Sequence, residues 1–435
     1  MNENASNLRL EQGFYEFTES LRFIEDEALF RMVAPDALLF SLLTRISASI
    51  PPAYLLPAFV GSNATASLLS AIVGSAGIGK SQANSAAREL FPVNDERFRF
   101  DLPNGTGQGM IEAYLRPARK GEAGFDEGKK IQQFEGCHFY IDEGSNLVSL
   151  GSKKEDITLD TIRSLWSGES VGQTNASATT SRFLPARSVA FGLSVGFQPD
   201  IAAMFVKEGE NVGTPQRFLW CYAHNDEQPD HAPKPKGTLD ALILPRRDTP
   251  FEFKFDPSIQ HEIRNKRAQL MRREITFNAY ESHDSLKQMK VAACLAILHR
   301  TTHVDTQTWA LAGNIVEVSA NVLQDIRKTY AEKQLEQRAN KNDEKADSAI
   351  RTIEKTREQA IKTGAATMAR KVHKELRQVD VSFLNRAVSG GDKGRATIEE
   401  MIDYALNQSW LEEIPTKGTP KYKAGRVTPP AANRN

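Results

Sequence analysis

Cysteine is scarce in this chain: Cys137, Cys221 and Cys294 are the only three, far apart and with no CxxC pair. That excludes a disulfide framework and a thiolate metal cluster, and a reducing, cytoplasmic setting is expected. An excess of one charge is also missing. Lys and Arg number 55 and so do Asp and Glu, which excludes a wholly basic coat for nucleic acid. Long apolar runs are absent too. The most apolar stretch, 37–60, is broken by Arg45 and by Pro51-Pro52, so no membrane span is expected. Residues 1–10 are polar, with Glu3 and Glu11 where a basic region would stand, so no secretory leader is expected. The eight histidines show no metal-ligand spacing, and no nucleophile triad can be assembled.

What is present is 435 residues, enough for two or three domains with real cores. Residues 35–49 (PDALLFSLLTRISAS) read as a buried helix that starts at Pro35-Asp36 and is stopped by Pro51-Pro52. Short apolar runs at 67–73 (SLLSAIV), 137–141 (CHFYI), 188–195 (SVAFGLSV) and 218–222 (FLWCY) suit buried parallel strands. Helical patterns lie between them, so the first 225 residues or so predict an α/β fold around a parallel sheet. A Pro-rich stretch at 229–250 marks a boundary, and helices are expected at 257–273, 285–299 and 305–333. Residues 326–375 are dominated by Lys, Glu, Arg, Ala and Gln. Their apolar positions are too sparse for sustained heptads, so a solvated helix is favoured over a coiled coil.

The sharpest motif is Gly74-Ser75-Ala76-Gly77-Ile78-Gly79-Lys80-Ser81, which fits G-x-x-x-x-G-K-[ST] at every fixed position. An apolar strand runs into it and a helix follows. Glycines let the backbone wrap a phosphate, the helix N-terminus offers N–H groups, and Lys80 reaches the β and γ phosphates. Ser81 would sit on Mg²⁺, so ATP and Mg²⁺ are the expected ligands. Some sixty residues on, the strand at 137–141 ends in Asp142-Glu143. Asp142 is placed to hold Mg²⁺ through water and Glu143 to polarise an attacking water. Gln198, leaving the strand at 188–195 in Gly-Phe-Gln-Pro, is a candidate γ-phosphate sensor, with a simple turn as the alternative. Arg217, in Gly213-Thr214-Pro215-Gln216-Arg217-Phe218, sits before a buried strand where it would project outward to a neighbouring subunit's phosphate; a structural salt bridge is the alternative.

In this order the parts resemble the DUF3987-like helicase-type P-loop ATPases of bacteria, their phages and plasmids, and the AAA+ module of MCM-type helicases. The resemblance covers roughly residues 35–329. It implies an AAA+/RecA-like core, a homo-oligomer with a hexameric ring favoured, and DNA-dependent ATP hydrolysis in replication of a mobile element. Replication or defence proteins are the implied partners. A nucleotide-controlled switch in regulation or antiphage defence, without strand separation, uses the same site and stays open. MCM-like modules place a pore hairpin where this chain has 167–187, which makes Arg182, Phe183 and Arg187 candidate DNA contacts around a turn at 179–181. The resemblance also assigns a helical lid after the core, within 229–330. The glycine cluster 105–109 lacks the strand-then-lysine context and reads as a mobile loop near the nucleotide or pore.

The expected divisions are thus an N-terminal helical segment to 50, an ATPase core over 51–228, linker and lid over 229–330, and a charged helix over 331–365. A winged-helix-like domain over 366–427 and a disordered tail over 428–435 complete them. The winged-helix reading rests on helices at 366–376, 382–388 and 396–408 followed by a strand at 410–414. Two strips, 264–273 and the stretch from 415 onward, hold ten basic residues and no acid. Setting them aside leaves 45 basic against 55 acidic residues, so a neutral total conceals an acidic body with basic strips.

Overall fold

A computed structural model describes residues 6–103, 105–122, 128–151, 156–175, 181–209, 212–276 and 283–431. The chain divides into two compact units, Met1–Ala331 and Glu332–Asn435.

The first unit is mixed α/β, built on five parallel strands: β1 (Leu68–Val73), β2 (Phe98–Pro103), β3 (Gly136–Ile141), β4 (Ala190–Phe197) and β5 (Phe218–Tyr222). Their lateral order is β5-β1-β4-β3-β2. Every residue of β1 and β4 is buried, as expected of central strands covered on both faces. The register sets Val73 opposite both Phe197 and Tyr222, and Ile141 opposite Val195. Four strands therefore end nearly level, and the residues that follow them leave from one edge.

The helices that matter here are α1 (Glu19–Phe30), α2 (Pro35–Ser49), α3 (Lys80–Leu90), α4 (Gly107–Glu112), α5 (Thr158–Ser167), α6 (Pro199–Gly209), α7 (Pro257–Met271), α8 (Asp284–Leu298) and α9 (Thr306–Glu375). Helix α2 begins with Pro35 at its first turn, where the missing N–H costs nothing. It lies across the sheet and is buried almost all round. Two glycines make that close approach possible. A Cβ at Gly136 would stand 2.2 Å from Ala48 O, and one at Gly192 2.5 Å from Thr44 O.

One hydrophobic core runs from Leu10 to Ile326. The N-terminal helices, the sheet and the helices expected as a lid all contribute to it. Ser319 Oγ accepts from Trp220 N at 2.9 Å, tying α9 to β5. The boundary expected near 229 is therefore no break between compact units, because α8 and α9 bury the apolar side chains that the sheet exposes. Cys137, Cys221 and Cys294 are buried and unpaired. Among the described residues no helix is long and apolar enough to cross a membrane.

Lys290 on α8 is fully buried, donating to Thr65 O and Trp166 O, both at 2.7 Å, with its ammonium 4.6 Å from the Trp166 ring. Burial pushes it down to about 7. Between pH 7 and its ordinary value of 10.5 the unfolded chain then holds more protons than the folded one. Stability should rise with pH across that window, by up to about 1.4 kcal/mol per unit. Urea unfolding at pH 7 and pH 9 measures the slope, and Lys290→Met should flatten it.

The second unit has its own core, with Met368, Val372, Leu384, Met401, Ala405, Leu411 and Tyr422. Its elements are the end of α9, a short strand at Val379–Asp380, helices Val381–Ala387, Gly390–Lys393 and Ile398–Asn407, and strands Leu411–Ile414 and Lys421–Ala424. The three strands form one antiparallel sheet with Lys421–Ala424 in the middle. Thr397 and Glu400 cap Ile398–Asn407 reciprocally. Every residue from 335 to 355 is exposed. Of the stretch expected as a disordered tail, residues 428–431 are described. Pro429 is buried, and Arg370 Nη1 donates to Pro430 O at 3.0 Å.

Candidate functional site

The turn after β1 is shaped by its glycines. Gly77 has φ +80° and Gly79 has φ +107°, a left-handed backbone that a side chain would strain. Gly74 N donates to Phe197 O at 3.0 Å, holding the start of the turn against the end of β4. Gly79 then caps α3 without any side-chain acceptor, so the first N–H groups of the helix point out of its end. Lys80 Nζ donates to Gly74 O at 2.7 Å and Ser75 O at 2.6 Å, folding over the turn. Burial lowers its affinity for the proton, while Asp142 and Glu143 raise it.

Asp142 and Glu143 arrive from the end of β3, two strands away. A Cβ at Gly196 would stand 2.6 Å from Asp142 O, and Gly144 N donates to Gly196 O at 2.8 Å. The exits of β3 and β4 are thus pressed together. Asp142 Oδ1 accepts from Tyr140 Oη at 2.7 Å. Asp142 stands two residues after Tyr140, just past the end of β3, where the strand's alternation still brings the two side chains together. Glu143 is exposed, and so is Gln198 at the end of β4.

These groups line one cavity of about 290 Å³, with Gly77, Lys80, Ser81, Asp142, Glu143 and Gln198 around it. The open N–H groups and the Lys80 ammonium suit an anion. The Ser81 hydroxyl and the Asp142 carboxylate are hard oxygen donors. Among the described residues no cluster of three or more His, Cys, Asp or Glu forms a cage. A cation held here would draw most of its ligands from water and phosphate, which is the habit of Mg²⁺.

The other expected site residues lie elsewhere. Phe218 pairs with Leu69, so Arg217 stands at the start of the sheet, a strand length of roughly 17 Å from the glycine turn of its own chain. Its side chain does not project outward. The guanidinium packs 5.4 Å from the Trp166 ring, Nη1 donates to Gly213 O at 2.6 Å, and Nε is buried without a partner. Burial, with Arg163 nearby, holds it down to about 10.

The hairpin expected over 167–187 exists as Val171–Gln173 paired with Arg182–Leu184. Residues 179 and 180 of its expected turn lie outside the described residues. Arg182 is not free for phosphates, because its Nε is ion-paired with Glu112 on α4. Phe183 is 56% exposed. Arg187 is exposed with a left-handed backbone, and its Nη1 donates to Asn63 O at 3.2 Å.

The second glycine cluster is no mobile loop at the nucleotide. Gly107 N donates to Thr158 Oγ1, and a Cβ at Gly107 would stand 2.6 Å from Thr161 Oγ1. It is glycine because α4 packs directly on α5. On α7, Ile259 and Ile263 are buried, while Arg264, Lys266 and Arg267 of the basic strip are exposed.

Sequence reasoning missed Tyr140, although the spacing to Asp142 carries the signal. It also missed β2 and the buried group that β2 brings in. Asp101 is ion-paired with Arg45 of α2 at 2.8 Å and Arg88 of α3 at 3.1 Å. His138 lies 3.7 Å from Asp101 and shares a hydrogen bond with Ser194, which accepts from Ser70. Burial pushes His138 down to about 3, so the imidazole is neutral and Asp101 answers only to the two arginines. No protein-family model matches the chain, and no curated protein is significantly similar to it.

Proposed function

We propose that the protein is a Mg²⁺-dependent P-loop ATPase that assembles into an oligomeric ring and acts on DNA as a helicase or translocase, in replication of a mobile element. One observation carries the reading. A single cavity at the strand ends gathers the glycine turn with Lys80 and Ser81, the Asp142–Glu143 pair and Gln198. Phosphate binding, metal binding, a general base and a polar amide are the parts that phosphoryl transfer to water needs. The sheet order supports it further, because β4 lies between β1 and β3 and so delivers Gln198 between the loop and the acids. Arg217 lies too far to serve its own loop and would act on a neighbour's after leaving Trp166. In the second unit, the succession of helix, strand, three helices and hairpin suits a winged-helix domain for a nucleic-acid backbone or a protein.

Phe183, Arg187 and the exposed arginines and lysine of α7 are the DNA-contacting candidates. Single-stranded DNA should raise the hydrolysis rate several-fold, and Phe183→Ala with Arg187→Ala should remove the stimulation without changing the basal rate. A second reading is favoured by the pairing of Arg182 with Glu112, which takes one expected DNA contact out of play. It is a nucleotide-controlled switch whose output is assembly. Rates that stay flat with single-stranded and duplex DNA, together with assembly that follows ATP, would select it.

A further inference from the structure

A second cavity, of about 420 Å³, lies between α7, α8, the last turn of α5 and the loop 56–64. It shares no lining residue with the cavity at the glycine turn. Helix α7 turns one face to it, because Ile263, Lys266, Arg267 and Leu270 follow one another at helical spacing and all line it. Helix α8 adds Leu286 and Met289, again one turn apart. The loop is held in place. Leu56 N donates to Ala64 O at 2.8 Å, and Asn63 Nδ2 donates to Leu56 O at 3.1 Å and to Glu252 Oε1 at 2.7 Å. Trp166 of α5 is equally fixed. Its ring has the Lys290 ammonium at 4.6 Å, the Arg217 guanidinium at 5.4 Å and the His283 ring edge-on at 5.4 Å.

We infer that this cavity is a binding site for a small amphipathic monoanion, an aromatic or branched apolar body that carries one carboxylate or sulfonate. The volume falls in the range of pockets that take up small organic ligands, about 300–1,000 Å³. Ile263, Leu270, Leu286 and Met289 offer the apolar walls that such a body needs. The inference does not depend on the phosphate site.

The charge of the lining sets the charge of the ligand. Lys266 and Arg267 are exposed at the mouth and, among the described residues, neither is ion-paired. Glu169 is the one acid among the lining residues. Burial, and after it Arg217 and Lys287, push His283 down to about 4, so the fourth titratable group of the lining is neutral at pH 7. Two cations and one carboxylate leave a single positive charge, which a monoanion balances. An ammonium beside a guanidinium also suits the paired oxygens of a carboxylate or sulfonate. The wall holds an unmatched donor as well. Trp166 is 1% exposed, and its Nε1 has no hydrogen-bond partner among the described residues. A buried N–H left unmatched is unfavourable, and an acceptor on a ligand seated against the indole would satisfy it.

Fluorescence titration of the full chain, without nucleotide, tests this with two probes. One is 8-anilinonaphthalene-1-sulfonate; the other is N-phenyl-1-naphthylamine, which has the same rings and no sulfonate. The sulfonate should bind wild-type protein one to one. Lys266→Ala combined with Arg267→Ala changes only exposed side chains, so the fold should not suffer. That double variant should weaken the sulfonate tenfold or more and leave the neutral amine unchanged. Ser285→Phe, which fills the cavity from α8, should weaken both probes tenfold or more. Sulfonate affinity unchanged in the double variant would overturn the proposal, as would an equal loss of both probes there. Affinity for both probes unchanged in Ser285→Phe, or no binding to wild-type protein, would overturn it too. No readout involves a phosphate, so each of these failures leaves the proposed nucleotide site standing.

Discussion

Glu143→Gln should lower the rate of ATP hydrolysis by about 10²–10⁴-fold, the usual worth of a positioned general base, while leaving ATP binding intact. Glu143 is exposed at the mouth of the cavity and, among the described residues, its side chain makes no hydrogen bond or close ion pair, so the fold should not suffer. Its amide replacement keeps the shape and removes only the capacity to accept a proton. The loss should fall on kcat, with KM little changed, because the missing interaction forms only in the transition state. Lys80→Ala should behave differently. Its ammonium lies over the glycine turn, within reach of Gly74 O and Ser75 O, where it would meet the phosphates in the ground state as well. That variant should lose nucleotide affinity along with turnover. Single-turnover hydrolysis and equilibrium binding, run on both variants, separate the two patterns.

The second large effect is on stability. Asp101→Ala should destabilise the first unit by about 3 kcal/mol, the lower end of the range for removing one partner of a buried ion pair, since Arg45 is buried and Asp101 only partly so. Arg45 is only 2% exposed, its Nη1 is 2.8 Å from Asp101, and its Nε already lacks a partner. The loss of Asp101 would leave that guanidinium in the interior with only the face of Phe100, 4.8 Å away, to answer its charge. His138 cannot substitute, since an imidazole carries no negative charge in either protonation state. Asp101 also has φ +57°, a region where Asp and Asn are enriched and alanine is not. Asp101→Asn should therefore fall between wild type and Asp101→Ala. Urea unfolding followed by tryptophan fluorescence reads this, because Trp166, Trp220 and Trp309 all belong to the first unit's core. The substitution should also weaken nucleotide binding, since Arg88 lies on α3, the helix that presents Lys80.

Much of this was legible in the sequence where one local rule decides the outcome. The helix at 35–49 has proline at its start and two prolines after its end, and α2 occupies the same residues. Four buried strands announced themselves as apolar runs because central parallel strands are covered on both faces. β2 escaped for the opposite reason. It is an edge strand, half-buried, with a register shift between Arg99 and Leu102 where Asp101 turns inward, so its pattern is neither continuous nor cleanly alternating. The glycine turn, Asp142 and Glu143 were legible because they follow strands in sequence, and level strand ends bring them together in space.

Arg217 and Arg182 show where sequence reasoning fails. Whether an arginine points to solvent depends on what packs beside it, and Trp166 and Glu112 come from distant segments. The helices expected at 285–299 and 305–333 are set apart from the core as linker and lid in the sequence reading, because a helical pattern does not say which surface it covers. Their buried face turned out to be matched by the sheet itself. The cluster around Gly107 reads in sequence as a mobile loop near the nucleotide or pore, yet Gly107's lack of a side chain serves close packing of α4 on α5.

The cavity at the glycine turn should bind a nucleoside triphosphate together with Mg²⁺. Equilibrium binding of ATP to the full chain, titrated with and without Mg²⁺ and repeated with Lys80→Ala and Asp142→Asn, tests it most directly. The wild type should bind tightly, Lys80→Ala should lose at least tenfold, and binding by Asp142→Asn should no longer respond to Mg²⁺. ATP binding that is absent from the wild type, or unchanged in both variants, would contradict it.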